Sequence, residues 1–179
     1  MSWSIAVLAR LALCAVFVVS AGSKLASGQA RTAFAEAVTG FGAVPARWSR
    51  PAAGAVVLVE AALAAGLCVN GLSRLALWAA AAVLLAFALA LGVGLRRGVL
   101  MPCACFGASH APAQSGEIWR NVLLAALAAA GAARDTAPAA LLGGPAAALV
   151  VRLLIAAFVT VLAAGFSDFT FILTPRRTA

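Results

Sequence analysis

The sequence predicts an all-α fold: a polytopic transmembrane helix bundle with four core helices and a fifth at the C-terminus. Three observations lead there. Hydrophobic residues make up 65% of the 179 residues and charged ones only 10%, outside the range of soluble domains. The apolar residues gather in runs of about 20, long enough to cross a hydrocarbon core roughly 30 Å thick. Those runs show no in-out alternation of the kind a barrel strand needs, and lipid leaves a non-barrel backbone only the helix to satisfy its own hydrogen bonds.

The first span is expected over Ser4–Gly22. Its stretch Leu11–Val19, followed by Val19-Ser20-Ala21, has the outline of a signal-peptide core and cleavage site. Arg10 is the only charged side chain ahead of that core, so the basic leader is weak and the span is expected to stay attached. The second span, Ala52–Asn70, is followed so closely by the third, Arg74–Leu95, that the two must form a tight helical hairpin. The fourth, Ile118–Ala133, is short at 16 residues, and the fifth runs over Ala147–Phe166. Both are rich in alanine, which lets helices approach closely. Residues 1–179 thus read as a single integral membrane domain, with the connection 96–117 as its most informative loop.

The net charge of +8 does not point to nucleic acid. Lys24 is the sole lysine, and the arginines flank apolar segments instead of forming a basic surface run. Such arginines suit anionic headgroups of a lipid bilayer and set topology. With the N-terminus outside, the cytoplasmic side holds nine basic residues: Lys24, Arg31, Arg47, Arg50, Arg96, Arg97, Arg120, Arg176 and Arg177. The other side keeps Arg74 and Arg134. This orientation places the 96–117 loop at the cytoplasmic face, whereas disulfide chemistry on an exported protein needs the outer one.

That loop contains Met101-Pro-Cys-Ala-Cys-Phe-Gly107. A bridge between Cys103 and Cys105 closes a very small ring, and strained disulfides are labile or catalytic more often than structural. As a staple it would add little, since the stabilisation grows with loop length. Two other readings stay open. His110 makes a Cys, Cys, His set, but zinc sites prefer two to four residues between thiols and a fourth ligand; soft Cu(I) suits the ligand type better. An inert loop is the third. Cys14 and Cys68, single residues within or at the end of apolar spans, read as small packing residues; if the loop thiols collect cytoplasmic electrons for transfer outward, Cys14 or Cys68 would need to join the relay.

Glu60 falls midway through the second span, where a carboxylate is costly and is usually paired or functional. Lys24 is the expected partner, because helical side chains lean toward their own N-terminus and an antiparallel pair brings the two together. A structural ion pair and a proton-handling role both fit. Arg10 lies nearer in depth but leans away, and Arg152 is close enough to a span end to snorkel. Glu117, Arg120 and Asn121 open the fourth span beside the cysteine loop, with Glu117 and Arg120 spaced for an i,i+3 pair.

Several of these elements together resemble the MauE family of methylamine-utilisation membrane proteins, relatives of the DoxX-like group. They are Ser20-Ala-Gly-Ser-Lys24-Leu25, Glu60, Gly98-Val-Leu-Met-Pro-Cys-Ala-Cys-Phe-Gly107 and Ile118-Trp-Arg-Asn121. The Cys-x-Cys-Phe-Gly element is the specific part. The resemblance runs from about Arg10 to Leu127 and does not include the fifth span. It implies a multi-pass protein of the bacterial cytoplasmic membrane that helps mature methylamine dehydrogenase, an enzyme with a disulfide-rich small subunit. It also implies a thioredoxin-like partner and a disulfide-containing exported client, with Cys103 and Cys105 as the thiol pair. Lys24 and Glu60 match recurrent polar positions of that family.

The expected function is therefore a membrane thiol-disulfide relay, a thiol-disulfide oxidoreductase in reaction type. One of Cys103 and Cys105 attacks a partner disulfide and the other resolves the mixed disulfide. Arg96, Arg97 and Arg120 would favour the thiolate if near it. No pattern marks a quinone pocket, so a quinone-linked version stays unassigned. Two rivals remain: a non-enzymatic assembly subunit indifferent to thiol loss, and a small-solute or proton-coupled carrier built on Glu60 and Lys24. No broken-helix repeat supports the carrier.

Overall fold

The computed structural model describes residues 5–40, 44–98, 115–134 and 145–173, with side chains to 163. Among these residues the chain is all helical. Helix α1 spans Ile5–Leu25, α2 Gly28–Gly40, α3 Ser49–Cys68, α4 Ser73–Arg96, α5 Ser115–Arg134 and α6 Ala146–Leu173. A single 3-10 turn, Ala46–Trp48, leads into α3.

Local chemistry accounts for the ends. Ser27 caps α2, its hydroxyl accepting from the Ala30 amide at 3.0 Å. Pro51 sits in the first turn of α3, where its missing N–H has no helical partner to lose. Gly98 stops α4 with a φ of +71°, a left-handed conformation that only glycine adopts without strain, and its amide reaches back to the Leu95 carbonyl at 3.0 Å. Helix α2 and the 3-10 turn occupy the connection in which the hydropathy reading places no element. The apolar side of α2 (Phe34, Ala35 and Ala37) packs on Ala53 of α3.

Helix α1 is the centre of the bundle and packs against α3, α5 and α6, while α4, joined to α3 by a tight turn, lies along α5. The buried core is built from Leu13, Val16 and Phe17 of α1, Leu67 of α3, Leu77 and Leu84 of α4, and Leu124 and Ala128 of α5. Alanines fill the seams between them (Ala9, Ala12, Ala80, Ala128 and Ala132) and allow close approach. Where α1, α4 and α5 converge, a Cβ on Gly131 would fall 2.7 Å from that of Ala9 and 3.5 Å from the Leu77 methyls. Neither backbone can yield cheaply. Gly131→Ala is expected to push α5 off α1 and to lose about 1–3 kcal/mol, as overpacking does. Thermal melting in detergent would register it, and an unchanged melt would mean the seam has slack.

By length and composition α1, residues 46–68, α4 and residues 146–163 can each cross a membrane. This is a multi-pass membrane protein. Helix α5, at 20 residues, has the length but not the apolarity, because Glu117, Arg120 and Asn121 lie in its first half. Those three continue the buried stripe Gly116, Glu117, Arg120, Asn121, Leu124, Ala125, Ala128, so they face protein. Trp119 and Leu123 face outward. Polar groups at membrane depth are tolerated in this arrangement, turned inward from lipid.

The helices divide their charges between two ends. One end gathers the C-terminus of α1, the start of α3, the end of α4 and the start of α5. It bears Lys24, Arg31, Arg47, Arg50, Arg96, Arg97 and Arg120, with Trp48 and Trp119 exposed in the manner of interface aromatics. The opposite end holds the start of α1, the α3–α4 turn and the end of α5, with Arg10, Arg74 and Arg134.

Candidate functional site

The pairing of α1 with α3 builds the polar interior. They run antiparallel, so Lys24 meets Glu60 near one end while Arg10 meets Leu67 and Asn70 near the other. Lys24 Nζ lies 2.9 Å from both Glu60 carboxylate oxygens, and both side chains are only 2% exposed. Ser20, one helical turn before Lys24, completes the group. Its hydroxyl accepts from Lys24 at 2.6 Å and donates to Glu60 Oε1 at 3.0 Å. The Phe34 ring of α2 covers the ammonium, with its centroid 5.0 Å away. A buried charge pair survives desolvation only when the geometry is good and further hydrogen bonds satisfy it. Each condition is met here, and the arrangement ties α1, α2 and α3 together.

Arg10 is fully buried and does lean away from Glu60. Its Nε donates to the Leu67 carbonyl at 3.0 Å and an Nη to Asn70 Oδ1 at 3.0 Å. These bonds place a cation at the carbonyl end of α3, where the helix dipole welcomes it.

Between α1, α2 and α3 opens a cleft of about 650 Å³. Its lining combines the cations Lys24, Arg31 and Arg50 with the apolar side chains Phe34, Val57 and Leu58. Cations beside an apolar wall stabilise an anionic headgroup at a membrane surface. The sequence offered no sign of this cleft, since α2 shapes it and α2 carries no motif.

Arg120 and Asn121 occupy the α5 face turned into the bundle, both buried. Arg120 donates to the Ala163 carbonyl of α6 at 3.2 Å, joining the two helices. They are not brought to Lys24 and Glu60 by any described contact. Cys103, Cys105 and His110 lie outside the described residues, as does most of the 96–117 loop. Its flanks Gly98 and Ser115 are at the arginine-rich end. Among the described residues no group of three His, Cys, Asp or Glu side chains could hold a metal ion.

Cys14 packs against the hydrophobic core, as the sequence reading expects, and its sulfur also lies 3.3 Å from that of Cys68, across the α1–α3 seam. Cys14 is half-buried and also points at the Ala64 carbonyl, 3.6 Å away, while Cys68 is exposed at the end of α3. They are 54 residues apart in the chain, so no spacing rule connects them. The register that joins Lys24 to Glu60 would have found them.

Comparison with known proteins adds the family. The model of the family described as methylamine utilisation protein MauE matches residues 1–134, which takes in α1 to α5 and the cysteine loop. The methylamine utilization protein MauE of Paracoccus denitrificans is 39% identical over 123 residues, which are 68% of this chain and 64% of that protein. The match thus covers somewhat under two thirds of the relative's length. No solved structure matches. With the family model covering five of its six described helices, this chain belongs to the MauE family.

Proposed function

We propose that this protein is a multi-pass component of the bacterial cytoplasmic membrane that serves methylamine utilisation as a thiol-disulfide relay. It supports disulfide formation or correction in an exported client, by family resemblance methylamine dehydrogenase, together with a thioredoxin-like protein. One observation carries the reading: Cys103-Ala-Cys105 is a closely spaced thiol pair and lies inside the residues matched by the MauE model. One thiolate attacks a partner disulfide, the neighbour displaces the mixed disulfide, and two electrons pass between protein and partner. The locked Lys24–Ser20–Glu60 group favours a structural role for those residues over a carrier's moving charge.

Cys103→Ser with Cys105→Ser is the test, in cells that depend on the protein for growth on methylamine. Growth and the disulfide content of the client are expected to fall to the level of a strain lacking the chain, while the chain's abundance in the membrane holds. Normal growth with both serines would replace the relay by a docking role.

A further inference from the structure

We propose that Cys14 and Cys68 form a second redox-active dithiol, placed at the end of the bundle opposite Gly98 and Ser115, the described residues on either side of Cys103 and Cys105. It deepens the thiol-disulfide reading above and rests on it for the partner, a disulfide-bearing protein on the outer side of the membrane.

The geometry is that of an attacking and a resolving thiol. Cys68 is exposed at the last turn of α3, where a packing cysteine would be buried. Cys14 stands 3.3 Å behind it, half-buried and held on a different helix. Bonded sulfurs lie about 2.05 Å apart, so a shift of little more than an ångström converts the contact into a bond. The seam that carries the cysteines is fixed above by Arg10 on Leu67 and below by Lys24 on Glu60, which holds the sulfurs in reach of one another.

Position adds the second argument. The Cys103 and Cys105 loop leaves from Gly98 and returns at Ser115, both at the arginine-rich end. The positive-inside rule makes that end cytoplasmic. Cys68 and the short α3–α4 turn are then at the outer face, where an exported protein's disulfides are. The conflict between motif and topology disappears once the outward-facing thiols are Cys14 and Cys68.

The exchange balances. The Cys68 thiol gives its proton to water, and the thiolate attacks one sulfur of the partner's disulfide, breaking that bond and releasing one partner thiolate. Cys14 loses its proton and attacks Cys68 Sγ, the mixed disulfide breaks, and the second partner thiolate leaves. The partner's two thiolates take up two protons. The Cys14 and Cys68 thiols have lost two electrons to the partner disulfide, and the reverse sequence delivers a disulfide outward.

The full-length chain carrying Cys103→Ser and Cys105→Ser, in membrane vesicles, isolates this dithiol. The vesicles are equilibrated with glutathione buffers of varying oxidised-to-reduced ratio, quenched with acid, alkylated and read by mass spectrometry. The expected result is a Cys14–Cys68 bridge that rises and falls reversibly with the ratio. Adding Cys14→Ser should leave Cys68 trapped as a mixed disulfide with glutathione. Two sulfurs that stay unbridged in excess oxidised glutathione would overturn the proposal, as would a bridge that excess reduced glutathione cannot open. A bridge that titrates, in a protein whose Cys103 and Cys105 serines leave growth on methylamine normal, removes the relay reading of that loop and keeps this one.

Discussion

Glu60→Ala is expected to cost about 3–5 kcal/mol, the loss typical when one partner of a buried ion pair is removed. The Lys24 ammonium, buried against Ser20 and the Phe34 ring, would lose the Glu60 carboxylate. Losing the α1–α3 tie should also loosen α2, whose Phe34 rests on that ammonium. Thermal unfolding of the purified protein in detergent measures the effect. Replacing both partners, Lys24→Met with Glu60→Leu, should recover most of the stability, because apolar side chains of similar size remove the stranded charge. A Glu60→Ala protein that melts like its parent would show that the ion pair does not hold α1 to α3. A double variant as weak as the single one would assign the loss to the Ser20 hydrogen bonds instead of the charges.

Arg10→Met should be nearly as damaging, at about 3 kcal/mol, since hydrogen bonds from a charged donor contribute about 1.5–3 kcal/mol each. The substitution leaves the Leu67 carbonyl and the Asn70 amide oxygen without their guanidinium. It also removes the cation from the C-terminus of α3. The consequence should be local as well as global. Leu72 donates to the Val69 carbonyl at 3.1 Å within the α3–α4 turn, and amide exchange there should quicken more than in α4. Arg10→Lys should not rescue fully, because a compact ammonium does not reproduce the fixed fork with which the guanidinium reaches the Leu67 carbonyl from Nε and Asn70 from Nη. Equal exchange in the turn of variant and parent would place Arg10's contribution in packing alone.

Both substitutions act on groups whose partners were unequally visible beforehand. A carboxylate in mid-span demands a partner, and with Lys24 the only lysine and correctly inclined on the neighbouring span, Glu60 could be matched from sequence. Arg10 could be read only as leaning away; its acceptors are a backbone carbonyl and an asparagine in a turn, which no residue pattern announces. Gly131 is a further case. Its role depends on Ala9 of a helix more than a hundred residues earlier, and glycine inside an alanine-rich span carries no signal of its own.

What the sequence alone determined was local or compositional. Apolar runs of membrane length dictate helices, because lipid offers the backbone no other partner. The Cys-x-Cys-Phe-Gly element and its accompanying polar positions pointed to the MauE family, which residues 1–134 match. Beyond the α1–α3 facing that Lys24 and Glu60 announce, the tertiary structure decided which helix faces meet and how closely. It brought Cys14 to within 3.3 Å of Cys68, set α2 over Lys24, and turned Glu117, Arg120 and Asn121 inward from the lipid. Those outcomes depend on helix register and rotation. Both are fixed by interlocking small side chains across several seams at once, and no single span contains that information.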